Sequence, residues 1–203
     1  MTAFATNADL AARLGIVMTQ AEQTRADALL TQASDMIRTQ VRQQVTKVTG
    51  DVWVTRGVWG NKLLVPQRPI IAVSSVAAQF MNGTTYTIDP ITYYVDRDEL
   101  VRYEWPLSFT IGNGWLGPGW QLTITYDHGW DPAANPVPYQ LALCKTVALE
   151  AVTRVWVNPE AAQQGMIGSV QSMYPAVGMM LTDEEEADLA DAFRRTEQTV
   201  GLR

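Results

Sequence analysis

The fold is decided by residues 121–159, QLTITYDHGWDPAANPVPYQLALCKTVALEAVTRVWVNP, because they join a clear strand to a long helix. Leu122, Ile124 and Tyr126 alternate with polar residues, which is the two-residue period of a strand with one buried face. The sequence therefore predicts a strand over Gln121–Tyr126, followed by a sharp turn and a proline-rich loop.

A helix is predicted from about Val137 to Val157 by an apolar stripe at three- and four-residue spacing. The stripe consists of Leu141, Cys144, Ala148, Ala151, Val152 and Val155. Pro138 suits the first helical turn, where its missing N–H costs nothing. Pro159 ends the helix, because the residue before a proline is disfavoured in the α region. We expect the other elements to pack around this strand and helix.

The composition is that of an ordinary globular domain. The chain has 203 residues, of which 47% are hydrophobic and 18% charged, so it has enough apolar material for one core. Cys144 is the single cysteine, which excludes an internal disulfide. Its place on the helix stripe predicts a buried structural thiol in a reducing compartment.

The charge balance argues against two classes of protein. The net charge is −6 with only 15 lysines and arginines, and no basic patch of the kind that grips nucleic-acid phosphates is visible. No apolar run approaches the ~20 residues that cross a bilayer. Met1–Phe4 lacks the basic and apolar regions of a signal peptide. We therefore expect a soluble protein that is intracellular where it is made.

Capping boxes predict where the N-terminal helices begin. Thr6 opens a short helix that Gly15 closes, and Thr19 opens a long amphipathic helix that frays between residues 42 and 47. The predicted inward face of the long helix consists of Leu29, Ala33, Met36 and Ile37. Arg38 is predicted to lie largely off this face.

Short β-rich runs fill residues 51–127, and their close spacing favours antiparallel pairing. Asn82-Gly83 between alternating segments is a strong hairpin signal, because that turn needs positive φ. We expect a small twisted sheet or a partly open barrel. This region contains Trp53, Trp59, Trp105, Trp115 and Trp120. Part of the sheet is therefore expected to face a neighbouring molecule rather than water.

The chain loses its periodicity after Pro159. Residues 160–180 carry several glycines and predict an extended, irregular crossing. Thr182 opens a final helix with Ala190 and Phe193 facing inward. The last residues, 199–203, are predicted to be a loose tail unless a partner orders them.

The predicted fold class is α+β. A helical core, made of the N-terminal helices and the long central helix, carries an inserted antiparallel β-sheet or partly open barrel, and a C-terminal helix and tail follow. The predicted segments are N-terminal helices at 1–50, a β-rich region at 51–130, the core helix at 131–159, and the crossing, C-terminal helix and tail at 160–203. Together they are expected to form one structural unit.

One glycine-rich segment matches a cofactor motif. Residues 112–117, Gly-Asn-Gly-Trp-Leu-Gly, spell the dinucleotide-binding pattern. That pattern works only between a strand and a helix whose N-terminus holds the pyrophosphate. Here Pro118-Gly119-Trp120 and then a strand follow, so we interpret the segment as a loop between strands and predict no cofactor.

The single histidine, His128, has Asp127 beside it and Asp131 three residues on. These groups could hold a metal ion or serve as a base. No second histidine, helically spaced Glu or recognisable nucleophile accompanies them. We interpret the segment as a turn in which Asp127 and His128 cap backbone groups, and we predict no catalytic and no metal-binding residue.

Two further charged groups have structural interpretations. The acidic run Asp183–Glu186 lacks the alternating oxygen ligands and central glycine of a calcium loop, and a solvated helix start explains it. Glu150 and Arg154 are interpreted as an i,i+4 ion pair on the polar face of the core helix. No feature of the sequence favours an enzyme.

Six segments together resemble the head-to-tail connector, or adaptor, proteins of long-tailed bacteriophages. They are Phe4–Gly15, Leu29–Arg38, Arg68–Ile70, Thr123–Trp130, Val155–Pro159 and Leu181–Arg195. These segments span nearly the whole chain in the order expected for that family.

The resemblance implies a ring, usually of twelve copies, docked under the portal protein at the capsid vertex. Such a ring belongs to the neck of the virion and is made in the host cytoplasm. It extends the DNA channel, passes DNA without sequence-specific binding, and offers a platform to the next neck or tail protein. The resemblance implies no enzyme activity, no cofactor and no membrane. Because an acidic wall repels phosphates, we expect a lumen of net negative charge.

The resemblance also indicates where the partners bind. In the family the C-terminal segment reaches the portal, so the candidate portal contacts are Phe193, Arg194, Arg195, Leu202 and Arg203. The segment 105–120 is richer in Trp and Gly than expected for the family. The candidate contacts to a ring neighbour or to the tail side are Trp105, Trp115 and Trp120.

Two alternatives to a connector remain at this point. The first is another neck component, such as a stopper or tail-completion protein. The second is a small metal-dependent hydrolase that uses Asp127, His128 and Asp131.

Overall fold

The computed structural model describes residues 2–57, 60–80, 83–96, 98–103, 115–116, 119–158, 164–167, 170–173 and 179–193. The helices are α1 (Asn7–Leu14), α2 (Gln20–Val41), α3 (Tyr139–Val157) and α4 (Asp183–Ala192). The strands are β1 (Val48–Arg56), β2 (Lys62–Leu64), β3 (Ile70–Phe80), β4 (Thr85–Thr87), β5 (Tyr93–Asp96), β6 (Glu99–Arg102), β7 (Trp120–His128), β8 (Gln164–Ile167) and β9 (Val170–Met173).

The chain forms two compact units. The helical unit consists of Met1–Arg42 and Asn135–Arg203 and contains α1 to α4 with β8 and β9. The strand unit is Gln43–Ala134 and contains β1 to β7. The strand pairs are antiparallel. The predicted α+β class, with an antiparallel β region inserted into a helical part, is therefore confirmed.

The helices begin where the capping signals predict. The side chains of Thr6, Thr19 and Thr182 each accept a hydrogen bond from the backbone amide three residues on, and each box is closed by the reciprocal bond. Gly15, at φ 65°, ends α1, and Arg42, at φ 55°, ends α2. The helix α3 starts two residues later than predicted, so Pro138 is its N-cap residue rather than part of its first turn.

The helical unit packs α1, α2 and α4 against α3. From the predicted stripe of α3, Leu141, Cys144, Ala148, Ala151 and Val152 are buried, and Val155 is half-buried. The buried apolar residues of α2 are Ala26, Leu30, Ala33 and Ile37. From the predicted face of α2, Leu29 and Met36 are only half-buried. Burial raises the pKa of the Cys144 thiol to about 12. The thiol therefore stays protonated at neutral pH, as a structural cysteine should.

Arg38 does not lie off the packing face of α2 as predicted. Its side chain is buried, forms an ion pair of 3.0 Å with Asp35 and donates to the backbone carbonyl of Thr2. The guanidinium carbon lies 4.5 Å from the centroid of the Phe4 ring. The hydroxyl of Ser34 accepts a hydrogen bond of 3.0 Å from the Phe4 amide. A charged residue is buried here because the N-terminal segment gives it partners.

The C-terminal part differs from the prediction at two places. Strands β8 and β9 form an antiparallel hairpin in the segment predicted to be irregular. Strands of four residues containing Gly165 are too short to show a period, which is why the sequence did not reveal them. The buried residues of α4 are Glu185 and Leu189. Phe193, at the C-cap, is buried as predicted, whereas Ala190 is exposed.

The strand unit contains two sheets. The larger has the order β1-β7-β3-β4 and the smaller β2-β6-β5. The central strand β7 extends the predicted strand at both ends, so Asp127 and His128 belong to the strand and not to a turn. The predicted hairpin at residues 82–83 is confirmed, because β3 pairs with β4 and Gly83 has φ 86°. Asn82 lies outside the described residues.

One core serves both sheets of the strand unit. It contains Leu63, Val65, Ile70, Val76, Ala78, Ile88, Tyr93, Leu100, Trp115, Leu122, Ile124 and Tyr126. The alternation of β7 places Leu122, Ile124 and Tyr126 in this core, as the sequence predicts.

The two ends of the strand unit are joined by backbone contacts. Thr46 forms a parallel bridge with Trp130, supported by hydrogen bonds of 2.9 Å from the Lys47 amide to the Trp130 carbonyl and from the Trp130 amide to the Val45 carbonyl. Gly129 has φ 88°, and a Cβ atom there would lie 2.6 Å from the Thr46 carbonyl oxygen. Only glycine permits both the turn and this close approach.

Candidate functional site

An aromatic cluster lies at one end of the larger sheet of the strand unit. The ring centroid of Trp120 lies 4.9 Å from that of Phe80 and 5.7 Å from that of Tyr86. The register between β3 and β7 puts Phe80 opposite Trp120. Phe80 is 37% exposed and Tyr86 55% exposed, although the rings shield part of one another. We call these three residues the Trp120 cluster.

Trp120 lines two cavities of the strand unit. One, of about 610 Å³, is also lined by Val54, Arg56 and Phe80. The other, of about 430 Å³, is also lined by Tyr86, Leu116 and Arg102. Trp120 is half-buried and Tyr86 is exposed. Trp, Tyr and Arg are the residue types that dominate protein–protein binding energies. The Trp120 cluster is therefore the best candidate contact surface on this unit.

Trp115 has a different role from the one predicted. Its side chain is fully buried, and its indole N–H donates to the carbonyls of Asn61 at 2.9 Å and Leu100 at 3.1 Å. Its ring centroid lies 5.9 Å from that of Tyr93. A side chain without exposed surface belongs to the core, so Trp115 offers no surface to a ring neighbour or to the tail side. Trp105 lies outside the described residues, and the role of Trp120 stays a prediction.

The C-terminal helix is fixed to the core helix by a buried ion pair. Arg154 donates through Nη1 to Oε1 of Glu185 at 2.7 Å and through Nη2 to Oε2 at 2.9 Å. The predicted pair between Glu150 and Arg154 is wrong, because Glu150 pairs with Arg13 at 3.2 Å. A planar guanidinium matches a carboxylate best in a two-bond fork, and α4 offers that geometry.

Glu185 has two further tasks. It is the third residue of the α4 capping box and accepts a hydrogen bond of 2.7 Å from the Thr182 amide. Burial opposes its ionisation, but the hydrogen bonds from Arg154 and Thr182 outweigh burial and lower the pKa of Glu185. Arg154 also donates to the Met180 carbonyl at 2.7 Å. One ion pair therefore fixes both α4 and the segment that enters it.

The candidate portal contacts follow this helix. Phe193 caps α4 and its side chain is buried, 7% exposed. Arg194, Arg195, Leu202 and Arg203 lie outside the described residues. The portal role of all five residues stays a prediction.

The three residues of the hydrolase alternative make separate contacts. The Nε2 atom of His128 lies 3.1 Å from Oδ2 of Asp51, and the side chain of His128 is fully buried. Asp127 accepts a hydrogen bond of 2.8 Å from the Gly50 amide. Asp131 forms an ion pair of 3.4 Å with Lys47. Sequence reasoning missed Asp51, because only the pairing of β1 with β7 brings it to His128.

The polar groups of the described residues form no metal centre. Within that part of the chain, no group of three or more His, Cys, Asp or Glu side chains could hold a metal ion. Of the glycine-rich motif at 112–117, the structure describes only Trp115 and Leu116. No described helix combines the length and the apolar character needed to span a bilayer.

Comparison with known proteins gives a similarity of fold. No protein-family model and no curated protein matches the chain. A chain in the neck of an empty gene transfer agent (GTA) particle, computed with C6 symmetry, superposes with a TM-score of 0.54 at 14% identity, over 97% of this chain and 92% of that one. A chain in the virion of the native GTA particle superposes with a TM-score of 0.50 at 15% identity, over 72% of this chain and 77% of that one. At such identities the likeness is one of fold.

Proposed function

We propose that this chain is a structural protein of the neck of a phage-like particle and, within the neck, a head-to-tail connector that forms a ring. The observation that carries the proposal is the fold similarity to a GTA neck chain over 97% of this chain and 92% of the other. The ordered sequence segments that resemble bacteriophage connectors also support it.

The ring places copies of the chain head to tail. The related neck was computed with C6 symmetry, and a ring of twelve copies is compatible with a sixfold axis. In a head-to-tail ring each copy contributes two different surfaces. The Trp120 cluster is the contact surface that we assign to the strand unit, against a ring neighbour or the tail side.

The negative charge of the chain supports the channel function. The first turn of α4 carries three exposed carboxylates, those of Asp183, Glu184 and Glu186, and the whole chain has a net charge of −6. Carboxylates on the bore repel the DNA phosphates, so the DNA passes without being held. A ring whose bore is lined mainly by Lys and Arg would contradict this part of the proposal.

The partners of the ring are the portal protein and the next neck or tail protein. The fixed position of α4 supports portal docking, because it gives residues 194–203 a rigid starting point. The hydrolase alternative is not proposed, since Asp127, His128 and Asp131 have separate partners.

The decisive experiment is the mass of the assembled oligomer. Native mass spectrometry of the full chain, alone and with portal protein, should give a closed oligomer whose copy number is a multiple of six. A chain that stays monomeric under both conditions would overturn the proposal. Pull-down by portal protein, compared with pull-down by tail proteins, separates a connector from a stopper or a tail-completion protein.

A further inference from the structure

Strand β1 is a long open edge. It is the outer strand of the sheet β1-β7-β3-β4, and among the described strands it pairs only with β7. None of its nine residues is buried. Such an edge presents unpaired N–H and C=O groups that can pair with another strand, and proteins usually block it with charges, proline or a cover.

The register shows which backbone groups of β1 face outward. The Gly57 amide donates to the Trp120 carbonyl at 2.8 Å, and Arg56 lies opposite Gln121 in the same ladder. Because hydrogen-bonded and non-bonded pairs alternate in an antiparallel ladder, Val52, Val54 and Arg56 direct their N–H and C=O groups to the open edge. The Val52 amide donates to Oδ1 of Asp51 at 3.0 Å, so Val54 supplies the edge amide at the centre of the uncharged run. The side chains of Val52 and Val54 are 56% and 50% exposed.

The hairpin β8–β9 lacks a third strand. Among the described strands, β8 and β9 pair only with each other, and each has four residues. An isolated two-stranded hairpin is marginally stable in water, whereas a third strand makes a stable sheet. The two strands, Gln-Gly-Met-Ile and Val-Gln-Ser-Met, contain no charged residue that would protect their edges.

We propose that the hairpin β8–β9 of one copy adds to the open edge of β1 in a second copy. We assign the partner of β1 to a second copy because every copy of the chain carries both features. It has an open strand edge on β1, and it has a hairpin, β8–β9, with no third strand. The uncharged run Val52–Thr55 of β1 matches the length and polarity of the hairpin strands. The two partners are different parts of the chain, so the contact is head to tail and repeats around a ring.

This inference rests on the proposed ring and names the backbone contact that would close it. The first test removes one outward N–H group. Val54→Pro deletes the donor that faces the edge and leaves the hydrogen bonds to β7 in place, because proline is tolerated on edge strands. Val54→Thr is the matched control, since it changes the side chain and keeps the N–H group. We expect Val54→Pro to reduce the oligomer at least about tenfold and Val54→Thr to leave it intact.

The second test mixes two defective copies. One carries Val54→Pro and the other has residues 164–173 replaced by a Gly-Ser linker. Each alone should be monomeric by native mass spectrometry. The mixture should give a dimer of one copy of each kind and nothing larger, because only one functional edge and one functional hairpin can meet. A mixture that stays monomeric would overturn the inference, as would closed oligomers formed by either variant alone.

Hydrogen exchange separates failure of this inference from failure of the ring. In the wild-type oligomer the amide of Val54 should exchange at least about tenfold more slowly than in the variant without the hairpin. A closed wild-type oligomer in which the Val54 amide exchanges at the unprotected rate would overturn the strand pairing and leave the connector proposal standing. If the Val54 amide stayed protected after loss of the hairpin, a different segment would be pairing with β1, and the inference would be overturned. A chain that forms no oligomer would overturn both proposals.

Discussion

Arg154 and Glu185 are joined by two hydrogen bonds, 2.7 Å from Nη1 to Oε1 and 2.9 Å from Nη2 to Oε2. Their side chains are only 17% and 8% exposed. Removing one partner from a buried pair leaves the other charge buried without a partner. The loss of folding free energy is then far larger than for a surface pair.

Glu185→Ala should therefore lower the free energy of unfolding by roughly 3 kcal/mol, because it leaves the Arg154 charge without its carboxylate and breaks a capping box. Urea titration followed by circular dichroism measures the change. Glu150→Ala is the control, since the pair of Glu150 with Arg13 is more than a third exposed on both sides and should cost at most about 1 kcal/mol. Equal losses for the two variants would contradict the buried role of Glu185.

Stability should also decrease in acid through Glu185. Its pKa is lowered in the folded chain, so the unfolded chain takes up the proton first as the pH falls. The contribution is complete above about pH 5 and is lost as the pH falls through the ordinary Glu pKa towards the folded value. The difference in thermal midpoint between wild type and Glu185→Gln should therefore shrink between pH 7 and pH 3. A constant difference would show that the carboxylate charge is not responsible.

Trp115 and Trp120 should respond in opposite ways to replacement by alanine. Trp115→Ala removes a fully buried ring with two hydrogen bonds and should destabilise the fold by about 3–5 kcal/mol. Trp120→Ala removes a ring at the edge of two cavities and should cost less stability but weaken assembly. Unfolding curves and oligomer mass, measured on both variants, test this contrast. Full assembly by Trp120→Ala would exclude the Trp120 cluster as a contact surface.

Gly129→Ala should destabilise the strand unit by roughly 2–4 kcal/mol, since it combines positive φ with a backbone clash. The added Cβ would meet the Thr46 carbonyl oxygen at 2.6 Å. Gly60→Ala is the control, because the nearest atom there is 4.0 Å away. Comparison of the two thermal midpoints decides the point, and similar midpoints would contradict the close approach.

Deletion of residues 194–203 should weaken binding to portal protein more than it weakens the fold. The resemblance to bacteriophage connectors implies that the C-terminal segment, from Thr182 onwards, reaches the portal protein. Since α4 supplies Leu189, Phe193 and Glu185 to the helical unit, the deletion must begin after Phe193 to leave that unit intact. Pull-down by portal protein measures binding, and a thermal scan measures stability. Undiminished binding by the shortened chain would count against a portal role for these residues.

Local signals predicted most of the secondary structure. Thr6, Thr19 and Thr182 mark helix starts because a capping box is formed by residues three apart, which a sequence displays directly. The alternation from Leu122 to Tyr126 similarly identifies the central strand. The hairpin β8–β9 was missed because two strands of four residues do not show a period.

Long-range partners could not be predicted. Arg154 has a carboxylate four residues away, yet its partner is Glu185, on another helix. His128 likewise meets Asp51 through strand register. Five tryptophans indicated a contact surface, but composition does not separate the buried Trp115 from the Trp120 cluster. That distinction needs the positions of Asn61 and Leu100, whose carbonyls bind the Trp115 indole.

The bridge between Thr46 and Trp130 brings the two ends of the strand unit side by side. Because the chain enters and leaves the strand unit through neighbouring, parallel backbones, the residues between Thr46 and Trp130 can be removed and the gap closed by a short linker. We expect such a trimmed chain to keep the helical unit folded. The same geometry would let one strand unit replace another during evolution while the helical unit stays unchanged.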